Sequence, residues 1–241
     1  MTDTDSNTNQ DDPAELMPDD NAGRGGSDDV EPSVIVGMLM QLRARGIQSV
    51  DVLRAMESVP REVFVLPEYR PLAYGDHALP IACGQTISQP YIVALMTEAL
   101  EVGKDHAVLE VGTGSGYQTA VLAHLARSVV TVERFRQLQE AAMVRFAALG
   151  LRNITAVHAD GADGMPERGA FPRILVTAAA EDVPAGLTAQ LAVGGRMVIP
   201  VGLAGGVQEL LLIRRTEEGL ETESLAQVRF VPLYRGRAQE L

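Results

Sequence analysis

A short apolar run ends in a glycine-rich turn at Val108-Leu109-Glu110-Val111-Gly112-Thr113-Gly114-Ser115-Gly116. The run predicts a buried strand over 106–111, and the pattern after the turn predicts a helix over 116–126. Strands and helices then alternate along the chain. We expect further strands at 128–133, 153–158, 173–178, 196–201, 208–214 and 223–231, with helices at 135–149 and 184–192. This alternation indicates an α/β fold with a doubly wound, mostly parallel sheet of Rossmann-like type.

The segments on either side of this pattern complete the expected fold. The last two strands are joined only by the polar turn 215–220 and are predicted to form a C-terminal antiparallel hairpin. Upstream, apolar residues at helical spacing (Val36, Met40, Leu42) predict a helix from about 34 to 45, and Ser49 can cap a second helix. A third helix is expected over 89–101, because Pro90 suits a first helical turn. We expect 32–104 to form a helical and loop-rich cover on the sheet of 105–241, the two making one domain, 32–241.

Negative charge is concentrated near the N-terminus. The 241-residue chain has a net charge of −12, and residues 1–31 hold ten acids and one base. This segment has almost no large apolar residues, so burial cannot offset the entropy lost on ordering. We therefore expect 1–31 to be a disordered acidic tail. Its composition favours a solubilising extension over an interaction arm.

The rest of the composition excludes several classes of protein. Residues 32–241 carry 22 acids and 19 bases, whereas a nucleic-acid partner requires clustered Lys and Arg. The sequence has neither a signal-peptide pattern nor a run of about eighteen apolar residues, which predicts a cytoplasmic protein without a membrane partner. Cys83 is the single cysteine, and the four histidines are scattered, so we expect no metal site. We also expect a monomer.

The glycine turn is a candidate cofactor site. In a doubly wound sheet, ligands bind at the carboxyl ends of the strands, usually on the turn after the first strand. Glu133 ends the next strand and can accept hydrogen bonds from ribose hydroxyls, and Asp160 ends the third strand and can reach an adenine amino group. The alternative is that the glycines serve packing and that both acids are ordinary exposed residues. Because residues that can contact a nucleoside occur at three successive strand ends, a nucleoside-binding site is favoured over this alternative.

Charge distinguishes between two nucleoside cofactors. A dinucleotide site uses GxGxxG, so that a helix N-terminus faces a pyrophosphate, whereas this turn is GxGxG. Glu110 lies two residues before the first glycine, and an anion there would repel a diphosphate. S-adenosylmethionine carries a sulfonium and an ammonium and no phosphate. The acids Glu110, Glu133 and Asp160 therefore favour S-adenosylmethionine over NAD.

Several stretches together carry a family resemblance. They are 59–65, 73–76, 79–81, 84–94, 108–123, 177–180, 194–202 and 228–233. The most specific is Gly84-Gln85-Thr86-Ile87-Ser88-Gln89-Pro90-Tyr91, followed by the glycine turn. On these stretches the chain resembles the protein-L-isoaspartate O-methyltransferase family, from about residue 34 to residue 235.

The resemblance implies methyl transfer from S-adenosylmethionine to the α-carboxylate of isoaspartyl residues in damaged proteins or peptides. The methyl ester then closes to a succinimide without the enzyme, which begins repair. The resemblance gives the active-site role to Ser88, and the expected substrate-binding residues are Gln85, Thr86, Ile87 and Ser88. The expected cofactor-binding residues are Gln85, Thr86, Glu110, Gly112, Thr113, Gly114, Ser115, Gly116, Glu133, Arg134, Asp160 and Gly161.

The chemistry of this reaction requires no histidine or cysteine constellation. A carboxylate with a pKa of about 3.5 is already ionised at neutral pH, so it needs no general base. It needs alignment with the methyl group and removal of water. Ser88 can donate a hydrogen bond that positions one carboxylate oxygen. The alternative is that Ser88 caps the helix opened by Pro90.

Two other functions stay open, namely a carboxyl methyltransferase that modifies a biosynthetic peptide and a non-catalytic binding module.

The chain departs from the family pattern at Ala159, where a glycine is common, and at Arg173, where an acid is common. We expect the first change to be silent. Arg173 can alter strand pairing at the end of the sheet opposite the cofactor turn.

Overall fold

A seven-stranded sheet lies at the centre of the protein, seen in a computed structural model that describes Met1 and residues 32–238. The acidic segment 1–31 lies outside the described residues except for Met1. The strands are β1 (Leu79–Pro80), β2 (Thr86–Ile87), β3 (Ala107–Val111), β4 (Ser128–Glu133), β5 (Ile154–His158), β6 (Phe171–Val176), β7 (Leu191–Val201), β8 (Gln208–Arg215) and β9 (Leu220–Val228). The α-helices are α1 (Pro32–Ala44), α2 (Val50–Ser58), α3 (Pro90–Leu100), α4 (Tyr117–Leu125), α5 (Arg136–Ala148) and α6 (Ala185–Gln190). Within this described part of the chain, no helix is long and apolar enough to cross a membrane.

The sheet is doubly wound, as predicted. Its strand order is β5-β4-β3-β6-β7-β8-β9. Neighbours from β5 to β7 are parallel, and β8 and β9 add an antiparallel edge that includes the predicted hairpin. The chain moves outward from β3 to β5 and then returns to the other side of β3 with β6. The strand order therefore reverses between β3 and β6, and ligands of such sheets bind at the carboxyl ends of the strands there.

Each face of the sheet carries its own core, because successive residues of a strand point to opposite faces. Val108 packs in one buried cluster with Met96 of α3 and Leu122 of α4. Leu109, the next residue, packs in the other cluster with Leu187 of α6. Burial on both faces explains why the central strands are almost continuously apolar.

The N-terminal cover is helical, as predicted, but of the three apolar residues whose spacing indicated its first helix, Leu42 alone is buried. α1 buries Met38 and Leu42, whereas Val36 and Met40 are 49% and 68% exposed. Apolar residues occupy nearly every side of this helix, so their spacing does not select one face. The hydroxyl of Ser49 caps α2, as predicted.

The segment expected to bind substrate begins as a small β-ribbon. β1 and β2 pair antiparallel, Leu79 with Ile87 and Pro80 with Thr86. Ile87 is buried, and Thr86 is exposed. This alternation directs Thr86 away from the core, and α3 begins shortly afterwards at Pro90.

After β9 the chain leaves the sheet edge and crosses to the ends of the parallel strands. The final strand is Leu220–Val228, earlier than the predicted 223–231. The strand ends early because the residues after it bond to Ala179 instead of continuing along β8. The main-chain nitrogen of Ala179 donates to Val231 O at 2.8 Å, and that of Leu233 donates to Ala179 O at 2.7 Å. Residues 231–233 therefore pair with the segment after β6. We call residues 231–238 the C-terminal strap.

Candidate active site

A cleft opens at the carboxyl ends of β3, β4 and β6, where the strand order reverses. It encloses about 560 Å³ including its open mouth, and we call it the strand-end cleft. Strand ends, the glycine turn, the β-ribbon and the strap all contribute to its wall. The lining residues include Gln85, Thr86, Val111, Gly112, Gly114, Glu133, Arg134, Phe135, Gly161, Thr177, Val231, Pro232, Leu233 and Tyr234.

The three glycines of the turn are glycine for different reasons. Their φ angles are all positive, 98° at Gly112, 54° at Gly114 and 94° at Gly116. A β-carbon on Gly112 would lie 2.3 Å from Thr177 Oγ1, and one on Gly116 would lie 2.7 Å from the Phe146 ring. These two glycines serve packing. A β-carbon on Gly114 would meet no atom closer than 3.7 Å, so Gly114 presents open main chain to the cleft.

The N–H groups of these glycines are already bonded within the protein. Those of Gly112 and Gly116 donate to main-chain carbonyls at 2.8 and 2.9 Å. That of Gly114 donates to Glu133 Oε2 at 2.8 Å. A phosphate at such a turn is held by free main-chain N–H groups. None of the three glycine N–H groups is therefore free to hold a phosphate.

Glu133 closes the turn from the end of β4. Besides Gly114, it accepts a hydrogen bond from the Phe135 nitrogen, at 3.0 Å to Oε1. Its side chain is largely buried and lines the cleft. Burial raises the pKa of Glu133, and the bonds from main-chain N–H groups counteract that rise. Each carboxylate oxygen has a second lone pair, so Glu133 can accept ribose hydroxyls without losing these contacts.

Glu110 is buried away from the strand-end cleft. The expectation from the sequence that its charge selects the cofactor is therefore wrong. Its side chain is fully buried, and its Oε2 accepts hydrogen bonds from the hydroxyls of Thr119 and Thr131. Burial raises the pKa of Glu110 to about 8, so the carboxyl is mostly neutral at pH 7. It does not line the strand-end cleft. Glu110 therefore supplies no anion to a ligand, and the case against a diphosphate rests on the occupied glycine N–H groups instead.

Asp160 is bonded to the strap. Its Oδ1 accepts from the Ala162 nitrogen at 2.9 Å, and its Oδ2 accepts from the Gly236 nitrogen at 2.6 Å. Asp160 does not line the cleft, but Gly161 does. A β-carbon on Gly161 would lie 2.6 Å from Val111 Cγ1, so the main chain passes close to the end of β3. The predicted adenine contact of Asp160 therefore requires its bond to Gly236 to be shared or rearranged.

Three more of the expected cofactor residues lie behind the turn. Thr113, Ser115 and Gly116 are buried and do not line the cleft. Thr113 shares a 2.6 Å hydrogen bond with the Thr131 hydroxyl. These residues shape the turn from within rather than offering contacts to a ligand.

The strap and its aromatic neighbours complete the cleft, although no sequence pattern indicated this role. Arg134, an expected cofactor residue, lies 5.2 Å from the ring centroid of Phe135 and 5.3 Å from that of Tyr234. All three line the cleft. Such rings provide flat apolar surfaces against which a nucleobase can stack. The resemblance included 228–233, but no local signal places that stretch beside Ala179.

A second cleft adjoins the first and contains Ser88, and we call it the Ser88 cleft. The residues that line it include Arg45, Thr86, Ser88, Gln89, Tyr91, Val207, Gln227, Arg229 and Phe230. Thr86 lines both clefts. Ile87, expected to contact substrate, instead buries its side chain and anchors the ribbon.

The cap interpretation of Ser88 is wrong. α3 begins after Gln89, and no side chain caps it. The Ser88 hydroxyl therefore does not cap α3 and lies in the lining of its cleft.

The structure also bears on metal and thiol chemistry. Within residues 32–238, no group of three or more His, Cys, Asp or Glu side chains is placed to hold a metal ion. Burial, together with the charge of Glu133, raises the pKa of the Cys83 thiol, which keeps it protonated. The partly buried Cys83 thiol therefore ionises less readily than a free cysteine.

Sequence comparisons give one consistent family. A family model described as Protein-L-isoaspartate(D-aspartate) O-methyltransferase matches residues 36–238. A curated relative from Dinoroseobacter shibae, described as a Protein-L-isoaspartate O-methyltransferase, is 54% identical over 209 residues, covering 87% of this chain and 97% of the relative. One from Xanthobacter autotrophicus with the same description is 54% identical over 216 residues, covering 90% and 99%.

Solved structures share the fold. One described as a protein-L-isoaspartate O-methyltransferase has 29% identity and a TM-score of 0.76, covering 84% of this chain and 67% of that one. One from Plasmodium falciparum, described as a beta-aspartate methyltransferase in complex with S-adenosyl-L-homocysteine, has 27% identity and a TM-score of 0.71, covering 82% and 97%. These likenesses confirm the predicted fold class.

Proposed function

The chain belongs to the protein-L-isoaspartate O-methyltransferase family, and from this premise we propose how its two clefts carry out the reaction. The protein transfers a methyl group from S-adenosylmethionine to the α-carboxylate of L-isoaspartyl residues in damaged proteins or peptides. The ester then closes to a succinimide without the enzyme, which begins repair. A structural relative that binds S-adenosyl-L-homocysteine supports the choice of cofactor.

The wall shared by the two clefts is the observation that carries this proposal. Thr86 lines the strand-end cleft and the Ser88 cleft alike. We infer that molecules bound in the two clefts lie side by side next to β2. Transfer between them requires this arrangement, since reacting atoms must approach to about 3–3.5 Å.

The strand-end cleft has the chemistry to hold S-adenosylmethionine. Glu133 offers carboxylate oxygens to the ribose, and Gly114 offers open main chain. Phe135 and Tyr234 offer ring surfaces to the base. When bound, the cofactor supplies an electrophilic methyl group on a sulfonium. We assign the contacts from the cover side to Gln85 and Thr86.

The acceptor side needs alignment rather than proton transfer. A carboxylate with a pKa of about 3.5 arrives ionised, so no base has to activate it. We assign to the Ser88 hydroxyl a hydrogen bond to one carboxylate oxygen, which directs the other toward the methyl group. Exclusion of water from the carboxylate strengthens its attack, and the half-buried position of Ser88 supports this role.

Charge in the Ser88 cleft suits an anionic acceptor. Its described lining residues include two cations, Arg45 and Arg229, and no acid. Arg45 forms an ion pair with Asp76 and lies 3.5 Å from the centroid of the Tyr91 ring. Arg229 is exposed, so its charge faces the mouth of the cleft. An anionic peptide group is attracted toward Ser88 by that charge.

A pair of peptides tests the function. One contains an L-isoaspartyl residue, and its twin contains normal aspartate at the same position. We expect methyl incorporation from labelled S-adenosylmethionine into the first peptide alone. Equal labelling of both peptides, or of neither, contradicts the proposal, and labelling of one small peptide that dominates cell extracts favours a biosynthetic role instead.

Three narrower expectations remain predictions. They are a monomer, a cytoplasmic location and activity without a metal ion. The last follows from the chemistry, because an ionised carboxylate and a sulfonium react without a Lewis acid. Light scattering gives the mass in solution, cell fractionation gives the location, and turnover after treatment with a chelator tests the metal.

A further inference from the structure

Arg61 is a fully buried arginine that lies beneath the Ser88 segment. We propose that Arg61 is a positioning residue, which fixes the main chain at Ser88 relative to the glycine turn and so sets the approach of acceptor to donor. Arg61 lies in the stretch 59–65 that carries part of the family resemblance, but its sequence context does not indicate a role. The inference rests on the proposed function, since it assumes that Ser88 contacts the acceptor.

Two hydrogen bonds tie Arg61 to different segments of the cover. Its Nε donates to Ala73 O at 2.7 Å, and its Nη2 donates to Ser88 O at 2.7 Å. The bond to Ser88 uses the main-chain carbonyl, so the hydroxyl of that residue stays free for substrate. The direction of the hydroxyl is then set by a fixed backbone.

A third contact connects Arg61 to the donor side. Its guanidinium lies 4.7 Å from the centroid of the Tyr117 ring, and Tyr117 is the first residue of α4, directly after Gly116. The Phe64 ring packs edge-on against Tyr117 with centroids 5.6 Å apart. One planar group therefore touches the acceptor segment and the helix that follows the cofactor turn.

The electrostatic setting of Arg61 is unusual for a buried cation. No carboxylate of the described residues forms an ion pair with it, and its Nη1 has no hydrogen-bond partner among them. Burial of an unpaired charge is costly, and the two carbonyls and the Tyr117 ring, together with the charge of Asp76, offset that cost here. One of the contacts that keep Arg61 in place, the hydrogen bond to Ser88 O, is thus also a contact that holds Ser88.

Lysine cannot reproduce this geometry. An arginine directs several donors from one rigid plane, whereas a lysine presents a single ammonium on a flexible stem. Arg61→Lys keeps the charge but cannot hold Ala73 O and Ser88 O at a fixed spacing. Arg61→Gln keeps hydrogen-bonding groups and removes the charge.

A matched control comes from Arg173, at the other end of the sheet. It is also largely buried, and its Nε and Nη1 donate to the carbonyls of Glu101 and Pro172 at 3.0 and 2.7 Å. Arg173→Lys therefore removes a comparable arginine far from both clefts. We expect it to lower thermal stability and to leave kcat unchanged.

The experiment measures methyl transfer to the isoaspartyl peptide per S-adenosylmethionine-binding site, so that unfolded protein does not count. We expect Arg61→Lys to lower kcat by about 10- to 100-fold, since a misplacement on the order of 1 Å can cost about that much. The Kd for S-adenosylmethionine should change by less than about threefold, because Arg61 touches no residue of the cofactor wall directly.

A double mutant with Ser88→Ala separates positioning from a merely structural role. If Arg61 acts through Ser88, the two substitutions together lower kcat little more than the larger one alone. If the effects of the two substitutions on kcat multiply in the double mutant, the proposal is overturned. It is also overturned if kcat per site is unchanged in both Arg61→Lys and Arg61→Gln. Loss of cofactor binding in both variants overturns it as well, because Arg61 is then needed for the fold. Failure of the proposed function is distinct, since the unmodified protein then shows no preference for the isoaspartyl peptide.

Discussion

The Oδ2 atom of Asp160 accepts a hydrogen bond of 2.6 Å from the main-chain nitrogen of Gly236. This contact joins the end of β5 to the strap across 76 residues of sequence. The Arg235 guanidinium adds an ion pair with Asp163 at 3.1 Å. On the other side of the cleft, the strap pairs with Ala179. The strap is thus fastened on two sides of the cleft whose wall it completes.

Asp160→Ala should loosen the strap and weaken cofactor binding. We expect the Kd for S-adenosylmethionine to rise by about 10-fold or more, because a hydrogen bond to a charged group contributes about 1.5–3 kcal/mol. Hydrogen exchange of residues 233–238 should speed up in the ligand-free protein. Asp163→Ala is the control: its ion pair with Arg235 is exposed, and such pairs contribute little. Equal behaviour of the two variants contradicts a specific role for Asp160.

Ser88→Ala should affect turnover and spare the cofactor. We expect kcat to fall by about 10- to 100-fold, since the substitution removes one hydrogen bond to a charged acceptor. The Kd for S-adenosylmethionine should stay the same, because Ser88 lines only the second cleft. Thr86→Ala provides the contrast, since Thr86 lines both clefts and should change both quantities. Steady-state kinetics and calorimetry measure them, and a collapse of cofactor binding in Ser88→Ala argues against the proposed role.

Glu110→Gln should remove a pH dependence of stability. The pKa of Glu110 is raised from 4.5 to about 8 in the folded protein, so at intermediate pH the folded protein holds a proton that the unfolded chain has lost. The stability that comes from this proton is present at low pH and is lost as the pH rises toward 8, by roughly 1 kcal/mol per pH unit. Glutamine does not titrate. Urea unfolding should therefore show that the free energy of unfolding of Glu110→Gln rises relative to that of the wild type between pH 5 and pH 8. If the difference between the two proteins stays constant over this range, Glu110 is ionised throughout it.

Gly116→Ala and Gly114→Ala should separate packing from ligand contact. A β-carbon on Gly116 clashes with Phe146 at a φ of 94°, so we expect a loss of about 2–4 kcal/mol in the free energy of unfolding. Gly114 has open space and a φ of 54°, so its substitution should cost about 1–2 kcal/mol and mainly weaken cofactor binding. Denaturant unfolding and calorimetry measure these effects. Similar stability losses at both positions contradict the distinction.

Local patterns predict most of the sheet. β4 spans 128–133 as expected, because a β-branched run is followed directly by an acid and a helix. The doubly wound order and the site at the first turn follow from the alternation of strands and helices. The same period-two rule bears on Glu110, since adjacent strand residues face opposite sides and Val111 faces the cleft. The same alternation therefore places Glu110 on the face of β3 away from the cleft.

Contacts between distant segments lie beyond such patterns. Nothing near residues 231–234 indicates that they leave the hairpin for Ala179, because the competing partner is more than fifty residues away. Arg61 is a similar case, since arginine is rarely buried and its partners are main-chain carbonyls, which carry no sequence signal. Both features become visible only when the folded chain brings these segments together.

The position of the strap has a consequence for biosynthesis. Val231, Pro232, Leu233 and Tyr234 follow every strand of the sheet, so the ribosome releases them after β3, β4 and the glycine turn. Domains begin to fold from their N-terminal parts during synthesis. A nascent chain can thus form the turn and Glu133 before one wall of the cleft exists. Competence to hold the cofactor then arises only after the residues that follow β9 have been translated, and a chain that stops at β9 lacks one wall of the site.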